Sequence, residues 1–110
     1  MDCIFCKIIA GELSASPVYR DDDVIVINDI NPQAPNHVLV IPTRHVENVY
    51  ELVDDQVLIG KLFSTAATMG RQLAGSGFRL VVNTGAEGGQ TVDHAHVHVL
   101  AGRLMHWPPG

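Results

Sequence analysis

The pattern of hydrophobic and polar residues predicts five β-strands. A strand is expected where apolar residues alternate with polar ones, or form a short run bounded by turn residues. The predicted strands cover residues 17–20, 24–30, 37–42, 78–83 and 91–100. Val24 to Ile27 is a continuous apolar run, which is typical of a strand that is covered on both faces. The sheet is therefore expected to carry helical or loop layers on its two sides.

Helical spacing of apolar residues predicts one short and one long helix. The short N-terminal helix is marked by apolar residues three and four apart, followed by Gly11: Ile4, Phe5, Ile8 and Ile9. The long helix is predicted to begin after Asp54 and Asp55, which suit a helix N-terminus, and to end near Leu73. Its buried stripe is predicted to contain Leu58, Leu62, Ala66, Met69 and Leu73. A further helical turn is expected within residues 44–50.

The order of these elements predicts an α+β fold. Three strands precede the long helix and two follow it, so the expected core is an antiparallel five-stranded sheet with the long helix across one face. We expect residues 1–110 to form a single domain, with residues 103–110 as a C-terminal tail.

Composition narrows the class of protein. Hydrophobic residues make up 46% of the chain, and the formal net charge is −5. An acidic chain is not expected to bind nucleic acid or an anionic membrane. The sequence shows no signal peptide and no long apolar run, so a soluble cytoplasmic protein is expected. Two cysteines are too few for a disulfide framework.

The clearest chemical signal is a row of histidines at alternate positions, His94, His96 and His98. On a strand, alternate side chains share one face, so the pattern predicts three adjacent imidazoles. A neutral imidazole is a nucleophile toward phosphorus, and His96 is the central ring. The glycine-rich segment 84–90 precedes the row and is a candidate anion site, because glycines let backbone N–H groups approach an anion.

The two cysteines leave several interpretations open. Cys3 and Cys6 have the spacing of zinc ligands, and with two histidines they would complete a tetrahedral site. The same spacing occurs in redox pairs, although the βαβ context of a thioredoxin-like motif is missing. The cysteines would also suit small buried core positions.

These residues together resemble the histidine triad (HIT) family, in its Hint branch. Residues 94–100 match the family pattern of three histidines alternating with apolar residues. The resemblance runs through most of the chain, and its further segments are residues 29–35, 37–42, 82–83, 88–90 and 105–110. It implies the HIT-like α+β fold, with the sheet extended across a homodimer.

The resemblance implies hydrolysis of the P–N bond in purine nucleoside 5′-phosphoramidates, which are amides of AMP or GMP. His96 would be the nucleophile and would form a nucleotidyl-histidine intermediate, while His94 would orient its ring. His98 and His37 would complete the polar part of the catalytic site. An alternative is a nucleotide-binding or scaffolding module with little turnover.

The resemblance also implies a nucleotide-binding site. Asp29 would bind the ribose hydroxyls. The base would be held by Ile4, Phe5, Ile8, Ile27 and Leu39. The phosphate would be bound by Asn83, Gly89, Gln90 and Thr91, together with His96 and His98. Thr91 departs from the serine that is usual in this branch.

Finally, the resemblance implies a structural zinc ion. Members that begin with Cys-Ile-Phe-Cys-Lys tend to bind zinc through ligands that correspond here to Cys3, Cys6, His45 and His94. The zinc ion would tie the N-terminal helix to the sheet and fix the ring of His94. A third hypothesis is that the chain is a structural domain organised by zinc.

Overall fold

A computed structural model describes residues 2–110 of the chain, which form a five-stranded antiparallel sheet with the strand order β1-β2-β3-β5-β4. The strands are β1 (Tyr19–Arg20), β2 (Val24–Asn28), β3 (Asn36–Pro42), β4 (Phe78–Val81) and β5 (Val97–Ala101). The helices are α1 (Ile4–Ile9) and α2 (Gln56–Leu73), with a 3₁₀ helix at Val49–Leu52. The predicted α+β fold, with one long and one short helix, is confirmed.

Helix α2 covers one face of the sheet. Its first turn is capped by Asp55, whose side chain accepts a hydrogen bond of 3.0 Å from the Leu58 N–H. The predicted stripe faces the sheet, with Leu62, Ala66 and Met69 buried. The sheet residues buried on this side are Val24, Val26, Val38, Val40, Ala95, Val97 and Val99. This layer is the larger of two hydrophobic cores in residues 2–110.

Helix α1 packs on the opposite face. Phe5 is buried there with Ile25, Ile27, Leu39 and Ile41. Strands β3 and β5 pair in antiparallel register, which places Leu39 directly opposite His98. Because directly paired residues point to the same face, His98 lies on the α1 side of the sheet. The triad residues and α1 therefore share one side of the sheet, away from α2.

The predicted strand over residues 91–100 is wrong in its extent, because β5 begins only at Val97. Its last partner on β3 is Val40, and its last partner on β4 is Val81, opposite His98. Beyond these pairs β3 ends at Pro42, which has no N–H for a further ladder bond. The Ala95 N–H instead donates to the Val46 carbonyl at 2.8 Å. His94 and His96 therefore lie in an irregular segment rather than on the strand.

The other boundaries differ by a few residues. Strands β1, β2 and β4 are shorter than predicted, and the expected helical turn within 44–50 occurs at Val49–Leu52. The Asn48 side chain caps this turn by accepting a hydrogen bond of 3.3 Å from the Glu51 N–H. In the part of the chain that the structure describes, neither helix is long and apolar enough to cross a membrane.

Candidate active site and adjoining metal-ligand cluster

A cavity of about 380 Å³ opens between α1, the ends of β2 and β3, and the triad segment. Apolar residues from α1 and the sheet form one wall: Ile4, Phe5, Ile8, Ile27 and Leu39. The polar wall consists of Asp29, His37, Thr91, His96 and His98. The structure therefore brings together ten of the residues that the sequence assigned to catalysis and nucleotide binding.

The backbone fixes the tautomer of His96. Its Nδ1 lies 2.7 Å from the His94 carbonyl oxygen, which can only accept, so Nδ1 carries the ring proton. In a neutral ring, Nε2 is then left with a free lone pair. Within residues 2–110, every fully buried side-chain nitrogen or oxygen has a hydrogen-bond partner. His96 Nε2 has no such partner, so it is not fully buried. Nε2 is therefore reachable from the cavity, although the residue is only 8% exposed.

The backbone amide of Gln33 fixes the tautomers of His37 and His98. The Gln33 N–H donates to His37 Nδ1 at 3.0 Å, which places the His37 proton on Nε2. His37 Nε2 lies 2.9 Å from His98 Nδ1 and donates to it. His98 then carries its own proton on Nε2, on the side away from His37. The site thus combines a free lone pair on His96 with an N–H donor on His98.

Burial keeps the rings of His98 and His37 neutral. It lowers the pKa of His98 to about 4, with the neighbouring rings of His96 and His37 adding to the effect. Burial also lowers the pKa of His37, and the nearby Asp29 carboxylate opposes that shift without reversing it. The 3.4 Å contact between His37 Nε2 and the Asp29 carboxylate is therefore a polar contact rather than an ion pair at neutral pH.

His94 faces away from the cavity. Its Nε2 lies 2.9 Å from the Pro42 carbonyl oxygen and donates to it, so Nδ1 carries a lone pair. This Nδ1 lies 3.3 Å from Cys3 Sγ, 3.6 Å from Cys6 Sγ and 3.1 Å from His45 Nδ1. Cys6 Sγ and His45 Nδ1 are also 3.3 Å apart. The four predicted metal ligands therefore form one cluster, with all donor atoms within 4.8 Å of one another.

The cluster fits a tetrahedral zinc ion. With Zn–S bonds of about 2.3 Å and Zn–N bonds of about 2.0 Å, ligand atoms of a tetrahedral site lie roughly 3.3–3.8 Å apart. The four separations given above, 3.1–3.6 Å, are close to this range. Burial lowers the pKa of His94, which favours the neutral ring that metal ligation needs. Burial and the adjacent Cys3 raise the pKa of the Cys6 thiol, the reverse of the shift found in reactive redox cysteines.

Three residues that were predicted to bind phosphate lie outside the cavity lining: Asn83, Gly89 and Gln90. The Gln90 amide holds its own loop together, because it donates to the carbonyls of Glu47 and Val92 and accepts from the Gly85 N–H. Gly89 has φ +82°, a conformation that favours glycine. Loop geometry thus accounts for Gln90 and Gly89, and the role of all three residues toward phosphate stays a prediction.

The cavity also contains residues that sequence reasoning did not select: Asn28, Ile30, Asn31, Gln33 and Val92. Asn28 ends β2, and Ile30, Asn31 and Gln33 lie in the turn that follows, where the Asp29 carboxylate accepts a hydrogen bond of 2.8 Å from the Asn31 N–H. The signal in the sequence was the concentration of polar residues and prolines around Asp29. Val92 carried no such signal.

A larger surface groove of about 690 Å³ lies beside Arg44 and Lys61 and shares no lining residue with the cavity. Its cations are already paired, since Arg44 lies 2.8 Å from Asp55 and Lys61 lies 2.9 Å from Asp21. The groove therefore has no unpaired cation of its own to offer an anion, and the histidine-lined cavity is the stronger candidate site.

Comparison with known proteins agrees with this site and fold. The family model described as the HIT domain matches residues 10–105. An uncharacterized HIT-like protein of Synechococcus elongatus is 46% identical over 111 residues, covering 99% of this chain and 97% of that protein. A 14 kDa zinc-binding protein of Brassica juncea is 41% identical over 113 residues, covering 99% of this chain and all of that protein.

The solved structures agree as well. The crystal structure of a HIT family hydrolase from Legionella pneumophila superposes with a TM-score of 0.94 at 40% sequence identity. The match covers 99% of this chain and 100% of that one. The chain therefore belongs to the HIT domain family, and the family expected from the triad motif is confirmed.

Proposed function

We propose that the protein is a HIT-type nucleotide hydrolase that cleaves the P–N bond of purine nucleoside 5′-phosphoramidates. The observation that carries the proposal is the 2.7 Å hydrogen bond from His96 Nδ1 to the His94 carbonyl. It leaves the Nε2 lone pair of a neutral imidazole directed toward a cavity with apolar and polar walls. The likeness to a solved HIT family hydrolase supports the same reaction class.

The first step is nucleophilic attack. His96 Nε2 forms a bond to phosphorus as the P–N bond breaks, and the leaving nitrogen takes a proton from solvent through the Thr91 hydroxyl at the cavity mouth. The His98 Nε2–H donates to a phosphoryl oxygen, where negative charge grows in the transition state. The His94 carbonyl stabilises the positive charge that develops on the His96 ring.

The second step is hydrolysis of the nucleotidyl-histidine. A water molecule attacks phosphorus, the bond from phosphorus to His96 Nε2 breaks, and the water gives up a proton to solvent. The products are a nucleoside monophosphate and neutral His96. Because the His94 carbonyl holds Nδ1–H throughout, the ring returns to the tautomer that is needed for the next attack.

Each wall of the cavity suits a different part of the nucleotide. The apolar wall accepts the face of a purine base, which is largely buried when bound. Asp29 lies at the polar end, where its carboxylate accepts hydrogen bonds from the ribose hydroxyls. The phosphate then lies beside His96 and His98, and the amide substituent points toward solvent. This arrangement favours neither AMP nor GMP amides.

We further propose that Cys3, Cys6, His45 and His94 hold a structural zinc ion. Four donors of the right type lie within 4.8 Å of one another, and a relative that covers 99% of the chain is named a zinc-binding protein. When bound, the ion supplies a cross-link between α1 and the triad segment rather than chemistry. The reaction itself uses the side chains of the chain.

A homodimer is the proposed assembly. Strand β4 lies at the edge of the sheet, so its outer backbone groups are available to a second chain. Large apolar side chains are exposed nearby. Leu104, 80% exposed, lines the same surface groove as Phe78, and Arg79 of β4 bonds to the His106 carbonyl next to Trp107, which is 82% exposed. Exposed apolar residues clustered at a sheet edge are typical of an interaction surface.

Turnover of an adenosine 5′-phosphoramidate tests the proposed reaction. The wild-type protein should release AMP, and His96→Ala should lose that activity while still binding AMP. His106→Ala is a matched control, since His106 lies in the exposed tail. Binding of AMP by wild type without any turnover would instead support the nucleotide-binding module.

A further inference from the structure

Helix α1 belongs to two sites at once. Cys3, at its N-cap, and Cys6 contribute two of the four metal-ligand atoms. Ile4, Phe5 and Ile8 contribute the apolar wall of the cavity. The Phe5 ring contacts histidines of both sites edge-on, with centroid distances of 5.7 Å to His94 and 5.2 Å to His96. A movement of α1 would therefore change both sites together.

The helix is too short to hold its own position. Six residues form it, and isolated helices below about 12 residues are marginal in water. Its backbone bonds, such as Lys7 N–H to the Cys3 carbonyl at 3.0 Å and Ala10 N–H to the Cys6 carbonyl at 2.9 Å, are local and do not attach it to the sheet. Its link to β1 is an exposed bond of 3.0 Å from Arg20 to the Ile9 carbonyl.

The other two ligands lie on the body of the domain. His45 follows β3, and the His94 ring is completely buried and bonded to the Pro42 carbonyl. A metal ion shared by these four residues would tie the short helix to a rigid support. Without the ion, α1 would be held mainly by the burial of Phe5 and its neighbours, and local opening of such a segment takes little free energy.

We infer that metal occupancy of the cluster controls nucleotide affinity through α1. The inference rests on the proposed function, since it requires the cavity to bind a nucleotide. Zinc fixes the helix and so completes the apolar wall before the nucleotide arrives. Because coupling between two sites is reciprocal, the nucleotide raises the affinity for zinc by the same factor.

Titration calorimetry with AMP tests this coupling on the full chain. AMP is titrated into zinc-loaded protein and into protein stripped with a chelator. The stripped protein should bind AMP about fivefold to 150-fold more weakly, the usual range for coupled sites, and added Zn²⁺ should restore the affinity. Competition with a chromophoric zinc chelator should show that AMP tightens zinc binding by an equal factor.

Two variants make the comparison specific. Cys6→Ala removes one ligand from α1 and should bind AMP as weakly as stripped wild type, with no response to Zn²⁺. Lys7→Ala changes the same helix at a half-buried residue that is neither ligand nor cavity lining, and it should keep the full response to Zn²⁺.

Amide hydrogen exchange shows which part of the chain responds to loss of zinc. It is measured on wild-type protein, so it does not depend on a variant that fails to fold. In stripped wild type, the amides of Lys7 and Ala10 should lose protection while those of β2 and β3 keep it, and AMP should restore protection to α1.

Equal AMP affinity with and without zinc would overturn the coupling and leave the proposed function standing. Loss of protection throughout the sheet would overturn the role of α1, and absence of AMP binding in both forms would overturn both proposals.

Discussion

The carbonyl oxygen of His94 accepts a hydrogen bond of 2.7 Å from Nδ1 of His96, while the ring of His94 points into the cysteine cluster. One residue thus serves two neighbouring sites through different atoms. Its backbone sets the tautomer of the proposed nucleophile, and its side chain is a proposed metal ligand. The three histidines of the motif are therefore not equivalent.

The donor role of His98 leads to a kinetic prediction. His98→Ala removes the Nε2–H that we propose donates to a phosphoryl oxygen, and kcat should fall about 10²-fold to 10³-fold, as for loss of an oxyanion donor. His37→Ala removes the group that sets the His98 tautomer and should cause a smaller fall. Steady-state kinetics on an adenosine phosphoramidate measures both. A larger loss in His37→Ala than in His98→Ala would contradict the assigned order of the two histidines.

The low pKa of His98 predicts that stability depends on pH. The pKa is about 4 in the folded protein and about 6.5 in an unfolded chain, so the unfolded state binds more protons between these values. The free energy of unfolding is therefore highest above about pH 6.5 and falls as the pH is lowered toward 4. Urea denaturation at several pH values measures the free energy of unfolding of wild type and of His98→Gln, whose side chain cannot titrate. This free energy should fall more steeply with decreasing pH in wild type. Equal slopes would contradict the buried, neutral state of His98.

The metal cluster predicts one zinc ion per chain. Cys3→Ser and His45→Ala should each lose zinc and unfold at a lower temperature, because the ion contributes to folding only when its ligands are complete. Metal analysis by inductively coupled plasma mass spectrometry and thermal denaturation measure the two effects. His106→Ala is the control and should keep its metal. Retention of one zinc ion per chain in Cys3→Ser would contradict the site.

Packing of α2 on β4 predicts opposite effects for two glycines of the same helix. A Cβ at Gly70 would overlap the ring of Phe78, whereas a Cβ at Gly60 meets nothing within 4 Å. Gly70→Ala should destabilise the protein by about 1–3 kcal/mol through overpacking. Gly60→Ala should stabilise it by up to about 1 kcal/mol, the usual gain in helix propensity. Thermal or urea denaturation of both variants measures the difference, and stabilisation by Gly70→Ala would contradict the packing.

Local patterns were sufficient to predict much of the fold. The apolar stripe from Leu58 to Leu73 and the capping Asp55 lie within one helix, so period and capping define α2 without knowledge of its partner. Gly11, with φ +81°, likewise marks the end of α1. These features are set by residues that are close in sequence, so the pattern of residues is enough to predict them.

Long-range contacts account for what the sequence did not show. The alternation of histidines predicted a strand from residue 91, but β5 begins at Val97 because β3 ends at Pro42, which is distant in sequence. The Gln90 amide bonds to the Glu47 carbonyl in another loop, a contact that the local sequence around Gln90 does not reveal. The order of the His37 and His98 tautomers follows from the Gln33 N–H, which no pattern of side chains reveals.

The central claim is that His96 forms a covalent nucleotidyl intermediate. Rapid quenching of the wild-type protein with an adenosine phosphoramidate, followed by digestion and mass spectrometry, tests it directly. We predict one adenylyl group on the peptide that carries His96, attached to Nε2, and none in His96→Ala. An adenylyl group on another residue, or full turnover by His96→Ala, would contradict it.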